Sequence, residues 1–122
     1  KIFLNYLIIK KQNTLFLGKR NHGIWKGLYD FPSLDFSRNI PQESVIQSAK
    51  WRNFFYDKPF KVSSVSKQVI HKLSHQHIYS RFWTIDLEDF SLDGYSPICI
   101  KEINDYPLPT LIDKFLKENN II

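Results

Sequence analysis

The chain opens on an apolar run, Ile2-Phe3-Leu4-Asn5-Tyr6-Leu7-Ile8-Ile9, in which Asn5 is the one clearly polar residue. Its β-branched and aromatic content favours a strand, and the lack of polar alternation predicts that both faces of that strand are buried. Such a strand has to lie inside a sheet with something packed on each side. The run is far shorter than the roughly 20 apolar residues that span a bilayer. It also lacks a small-residue cleavage site, so it does not read as a signal peptide, and no membrane partner is expected.

Around this strand the remaining elements follow from local signals. Lys10-Lys11-Gln12-Asn13 is a polar turn and Thr14-Leu15-Phe16-Leu17 a second strand, so the two should form a hairpin. Gly18 to Gly23 is a basic loop. From Trp25 onward, Trp25, Gly27, Tyr29 and Phe31 share one face of an extended segment that Pro32 ends, and these aromatics are read as core. Pro41-Gln42-Glu43 suits a helix start, and the helix is expected to run to about Tyr56. Val45, Ile46, Ala49 and Asn53 lie on one face of it, with Trp51, Phe54 and Phe55 widening the apolar surface. Phe60 to Leu73 is read as one strand, His77 to Leu87 as another, and Ile98-Cys99-Ile100 as a short one. Pro109 opens a last helix whose Leu108, Leu111, Ile112, Phe115 and Leu116 form a core-facing stripe. Strands, helix, strands, helix predict an α+β fold, an α/β/α sandwich with a mixed sheet flanked by helices.

The 122 residues suit a single domain, 1–122. Methionine is absent, the initiator included, so the chain is expected to be a piece of a longer protein. The formal charge of +5 is unevenly spread. Residues 1–61 hold 11 Lys and Arg against 4 Asp and Glu, and residues 62–122 hold 6 against 8, which gives +7 and −2. That asymmetry suits a polyanion partner as well as an ordinary basic surface. Cys99 is the single cysteine, which rules out an internal disulfide and a cysteine-based zinc or iron–sulfur site within the chain, and fits a reducing compartment.

The densest polar chemistry lies in His71-Lys72-Leu73-Ser74-His75-Gln76-His77, at a strand-to-strand turn. Three imidazoles can be metal ligands, but no carboxylate or thiol nearby completes a tetrahedral set, so no metal site is expected. Ser74 with a neighbouring histidine lacks an orienting acid and an elbow glycine, so no catalytic residue is assigned. Gly18-Lys19-Arg20-Asn21-His22-Gly23 lacks the Gly-Lys-Ser/Thr ending of a nucleotide P-loop. A cradle for DNA phosphates or a solvated turn both remain open for it.

Two family resemblances follow from these residues. Tyr29-Asp30-Phe31-Pro32 looks like the strand that enters the catalytic helix of Nudix hydrolases. Those enzymes have a paired-glycine turn there, then a helix with an Arg-Glu and a Glu-Glu pair that hold magnesium. Here the turn is Ser33-Leu34-Asp35, and Gln47-Ser48-Ala49-Lys50-Trp51-Arg52-Asn53-Phe54-Phe55 carries no carboxylate. Magnesium needs hard oxygen ligands, so the scaffold resembles Nudix while the hydrolase chemistry is expected to be absent.

The fuller match is to the C-terminal Nudix-like domain of adenine DNA glycosylases of the MutY family. Gly23-Ile24-Trp25-Lys26-Gly27-Leu28-Tyr29-Asp30-Phe31-Pro32 resembles the family's Gly-Leu-Trp-Gly-Gly-Leu-Trp-Glu-Phe-Pro. His71-Lys72-Leu73-Ser74-His75 resembles its His-x-Phe-Ser/Thr-His loop, and Tyr106-Pro107-Leu108-Pro109 its Leu-Pro-Leu-Pro entry to the last helix. The resemblance implies recognition of 8-oxoguanine opposite adenine in double-stranded DNA, while a separate N-terminal catalytic domain, carrying a [4Fe-4S] cluster, removes the adenine. No cofactor is then expected in this chain, and a bacterial cytoplasmic location at the nucleoid is implied. Ser74, Leu73 and His75 would meet the lesion, and Lys19, Arg20, Lys26, His71 and His77 the phosphates. Leu73 stands where the family has Phe, keeping an apolar wedge without an aromatic face. The alternatives are an active Nudix pyrophosphohydrolase on nucleotides and a ligand- or protein-binding Nudix-like module.

Overall fold

The computed structural model describes residues 1–56 and 58–122. The opening run forms β1 (Ile2–Lys11), the central strand of an eight-stranded mixed sheet. β2 (Thr14–Lys19) returns antiparallel through the hairpin end, Lys10 opposite Leu15. β3 (Tyr29–Asp30) and β4 (Ser33–Phe36) follow, β4 pairing antiparallel with β1. On its other side β1 runs parallel to β7 (Gln76–Asp86), in register from Ile2 opposite Ile78 to Lys10 opposite Asp86. β5 (Lys61–Val65) and β6 (Val69–Leu73) both pair antiparallel with β7, and β8 (Tyr95–Cys99) with β2.

The apolar run is buried on both faces, as its composition predicts, because each face meets its own core. Leu4, Tyr6 and Ile8 pack with Phe82, Ile103, Ile112 and Leu116 beneath the last helix, α3 (Thr110–Glu118). Leu7 and Ile9 pack on the opposite face with Val45, Trp51, Phe55 and Trp83. Asn5, the polar interruption, is buried and accepts a hydrogen bond from Trp83 Nε1 at 3.0 Å, which satisfies both groups. The result is the mixed sheet with flanking helices that the element order implies. A 3-10 helix (Ile100–Asp105) leads into α3. Gly18 is required by proximity: a Cβ there would lie 2.6 Å from the Gly94 carbonyl oxygen.

The single helix expected over 41–56 is two, α1 (Gln42–Gln47) and α2 (Ala49–Phe55). Ser48 separates them in an extended conformation; its hydroxyl donates to Val45 O at 2.6 Å and accepts from Trp51 N at 3.2 Å. A serine that offers the backbone this alternative interrupts a helix and caps the next one. The break resets the helical phase, so Trp51 and Phe55 face the core while Ala49 and Asn53 are exposed. Phe60–Leu73 likewise divides into β5 and β6, with a bulge near Ser63 and the Ser66–Gln68 crossing between them. The expected 98–100 strand begins earlier, at Tyr95, and Ile100 already belongs to the 3-10 helix. Ser33–Asp35, expected to turn, is strand β4 instead. Trp25–Gly27 is a turn rather than extended chain, with Gly23 and Gly27 at φ of +84° and +88°.

Candidate nucleic-acid interface

Ser74 and His75 form the two-residue turn between β6 and β7, closed by the pairing of Leu73 with Gln76, and both are exposed. The alternation of β6 decides which side each neighbour takes. His71 and Leu73 lie on the face toward Trp25, the two rings of Trp25 and His71 standing 6.2 Å apart and Leu73 packing with the α3-side core. Lys72 and His77 are register partners, and both are exposed on the other face. His71 and His77 are therefore separated by the sheet. Among the described residues no three His, Cys, Asp or Glu side chains gather in a metal-binding group.

The basic loop between β2 and β3 closes on itself. Arg20 N donates to Leu28 O, and Gly27 N to Arg20 O, both at 2.9 Å. Lys19 and Lys26 project into solvent. Arg20, expected to meet DNA phosphates, is instead paired within the chain. Its Nη1 donates to Asp30 Oδ2 at 2.7 Å, its guanidinium carbon lies 6.0 Å from the Trp25 ring, and its Nε is buried without a partner. The Asp30 side chain is only 3 % exposed, and burial pushes its carboxyl above the ordinary range against the pull of Arg20. Arg20 thus holds Trp25 and Asp30 in place rather than presenting an open cation.

These contacts join the three sequence segments into one surface. Trp25 reaches His71 on β6. Tyr29 N donates to Pro107 O at 2.8 Å, and its ring meets Tyr106 edge-on at 5.0 Å. Between the loop and the hairpin lies a groove of about 240 Å³ bordered by Gly23, Ile24, Trp25, Asp35, Gln76 and Ile78. Ile24 is 53 % exposed at its lip. A second, shallower depression of about 350 Å³ surrounds Ser74 and His75. Gln76, Ile24 and Asp35 are border residues that the sequence reading missed. Gln76 is signalled by its place in the turn motif; Asp35 carries no such signal, because in the sequence it reads as a turn residue while it lies in β4.

The surface of α2 has a different character. Lys50, Arg52 and Asn53 are exposed there, and no carboxylate falls between Ser44 and Tyr56.

A family model described as the NUDIX domain matches residues 5–118. This chain belongs to the NUDIX domain family. Among solved structures, the C-terminal domain of mouse MUTYH, in a complex with human PCNA, superposes with a TM-score of 0.75 at 14% identity, covering 98% of this chain and 88% of that one. A MutT protein from Methanosarcina mazei gives 0.67 at 18% identity, with 96% and 91% covered. A structure from a study of MutT from Aliivibrio salmonicida and Vibrio cholerae gives 0.61 at 18%, with 96% and 94% covered. These similarities support the fold. No curated protein sequence matches the chain. In this NUDIX domain α1 and α2 pack on one face of the sheet and α3 on the other. None of its described helices is long and apolar enough to cross a membrane.

Proposed function

We propose that this NUDIX domain recognises 8-oxoguanine opposite adenine in duplex DNA, as the lesion-reading part of an adenine DNA glycosylase. The observation that carries the reading is the Trp25–His71 contact, which seats the glycine-flanked loop against the strand that ends in the exposed Ser74–His75 turn. The likeness to the MUTYH C-terminal domain supports it. Its partners on this reading are the lesion-bearing duplex and an N-terminal catalytic domain that holds a [4Fe-4S] cluster and removes the adenine.

The chemistry of the turn suits the lesion. Guanine presents N7 in the major groove as an acceptor. Oxidation at C8 turns N7 into a donor and sets a carbonyl acceptor beside it. One hydroxyl can accept from the first and donate to the second, and Ser74 supplies it. Leu73 supports the turn from the core side, and His75 meets a neighbouring phosphate. Lys19 and Lys26 supply further phosphate contacts, with His71 and His77 on the two sides of the hairpin.

The test compares binding of duplexes that carry 8-oxoguanine or guanine opposite adenine. The chain should prefer the lesion, and Ser74→Ala should remove about 1–3 kcal/mol of that preference, the size of one good base contact. His75→Ala should weaken both duplexes about equally. A Ser74→Ala chain that keeps the full preference overturns the assignment.

A further inference from the structure

The face of the hairpin turned away from Trp25 carries a second arrangement. Strand register sets Phe36 beside Phe3, Phe3 beside Tyr79 and Tyr79 beside Ile70, a row that crosses β4, β1, β7 and β6. The Phe3 and Tyr79 rings stack at 5.0 Å and 24°. Phe3, Tyr79 and Ile70 pack into neither apolar core, and Ile70 is 50 % exposed. The row is half-buried at Phe3 and Tyr79 and open at Ile70, and apolar surface left outside both cores is a place where a partner packs.

The neighbouring rows specify what that is. Toward the hairpin tip, His77 and Lys72 are register partners, and Lys1 precedes the Ile2–Ile78 pair on the same side. The Lys1 ammonium lies 5.7 Å from the Tyr79 ring centre, and that of Lys50 lies 5.0 Å from the Phe36 ring centre. In the other direction Arg81 pairs with Asn5. No aspartate or glutamate stands in these three rows, although Asp35 flanks the groove on the opposite face.

We propose that this face binds single-stranded nucleic acid, with a base packed over exposed Ile70 against the half-buried Tyr79 and phosphates along Lys1, His77 and Lys72. Aromatic side chains beside a cationic track are the recurring means of holding unpaired strands, because every base has a π face and every linkage a charge. Paired bases are stacked on one another and cannot offer that face, so the platform selects unpaired strands. Lys1 and His77 also border the depression around Ser74 and His75, whereas Ile70 and Tyr79 lie outside it, so variants at Ile70 and Tyr79 separate this site from lesion recognition.

The experiment measures fluorescence anisotropy of a labelled thymidine oligonucleotide with the 122-residue chain. Ile70→Glu and Lys72→Glu, both at exposed positions, should each weaken binding about tenfold, within the range found for loss of one stacked base. Tyr79→Ala should do the same and Tyr79→Phe should restore binding. Ser74→Ala should leave it unchanged. Amide shifts on titration should move at residues 3, 70, 72, 77 and 79. Absence of binding to the oligonucleotide overturns the proposal, as does an Ile70→Glu chain that binds like the parent. So does displacement by an acidic peptide with Tyr79→Ala still binding, since that pattern means strand addition at the open edge of β6.

Discussion

Arg20 and Asp30 meet where the basic loop leaves the sheet, and their contact fixes what the loop can present. Asp30 is nearly out of reach of water and faces Arg20 at 2.7 Å. Removing the guanidinium leaves a buried carboxylate alone, which typically costs about 3–5 kcal/mol. Arg20→Ala should fall at the lower end of that range, since Arg20 itself is 29 % exposed. Arg20→Ala with Asp30→Asn should recover part of the loss. The effect should also depend on pH. Burial already holds Asp30 above its ordinary value, and without Arg20 it rises further. The folded state then keeps a proton that the unfolded state has released, so stability of Arg20→Ala should fall as pH rises above about 4. Chemical denaturation at several pH values checks this; a penalty that is flat with pH means that Asp30 is not the group left exposed to the change.

At the scale of elements, the readable parts were those where one physical signal dominated. The apolar run of β1 and the stripe of α3 each had a single reading, and both formed as expected. The helix break at Ser48 was not readable from periodicity, because Val45, Ile46, Ala49 and Asn53 already made a plausible face and the serine's hydroxyl decided the matter locally. Gly23 and Gly27 belong to a legible motif, yet their turn conformation depends on the backbone hydrogen bonds that Arg20 and Leu28 make with each other and with the loop. The hairpin motif was legible, but which of its histidines share a face depended on the register of β6 with β7. Ser48→Ala should cost about 1 kcal/mol, the usual loss for an N-cap, read as a lower melting temperature. The carboxylate-free α2 bears on activity too. Magnesium-dependent pyrophosphohydrolysis needs oxygen ligands, and α2 offers Lys50 and Arg52. Nucleoside triphosphates incubated with the chain and magnesium should release no pyrophosphate above background. Turnover of roughly one per second, ordinary for an enzyme, would move the reading to a nucleotide hydrolase.

Over the whole molecule, the charge asymmetry gains a location. The excess of the first 61 residues includes the loop cations Lys19 and Lys26, while the acids of 86–118 lie at the end of β7 and in the β7–β8 connection, the 3-10 helix and α3. The fold therefore does more than average a net +5 over its surface. It sets the exposed basic loop near the Ser74 hairpin by way of Trp25 and His71. Binding of duplex DNA at such a surface should be weak, steep in salt and largely indifferent to sequence, because released counterions supply most of the free energy. Each lysine that contacts a phosphate should contribute about one unit to the slope of log affinity against log salt. Lys19→Ala with Lys26→Ala should then flatten that slope by about two units and weaken lesion and undamaged duplexes alike. Ser74→Ala should leave the slope in place while changing the preference, since a hydroxyl displaces no counterion. Titrations across a salt series on both duplexes separate the two contributions. An unchanged slope in the double lysine variant would mean that the loop is solvated surface and that DNA is held elsewhere.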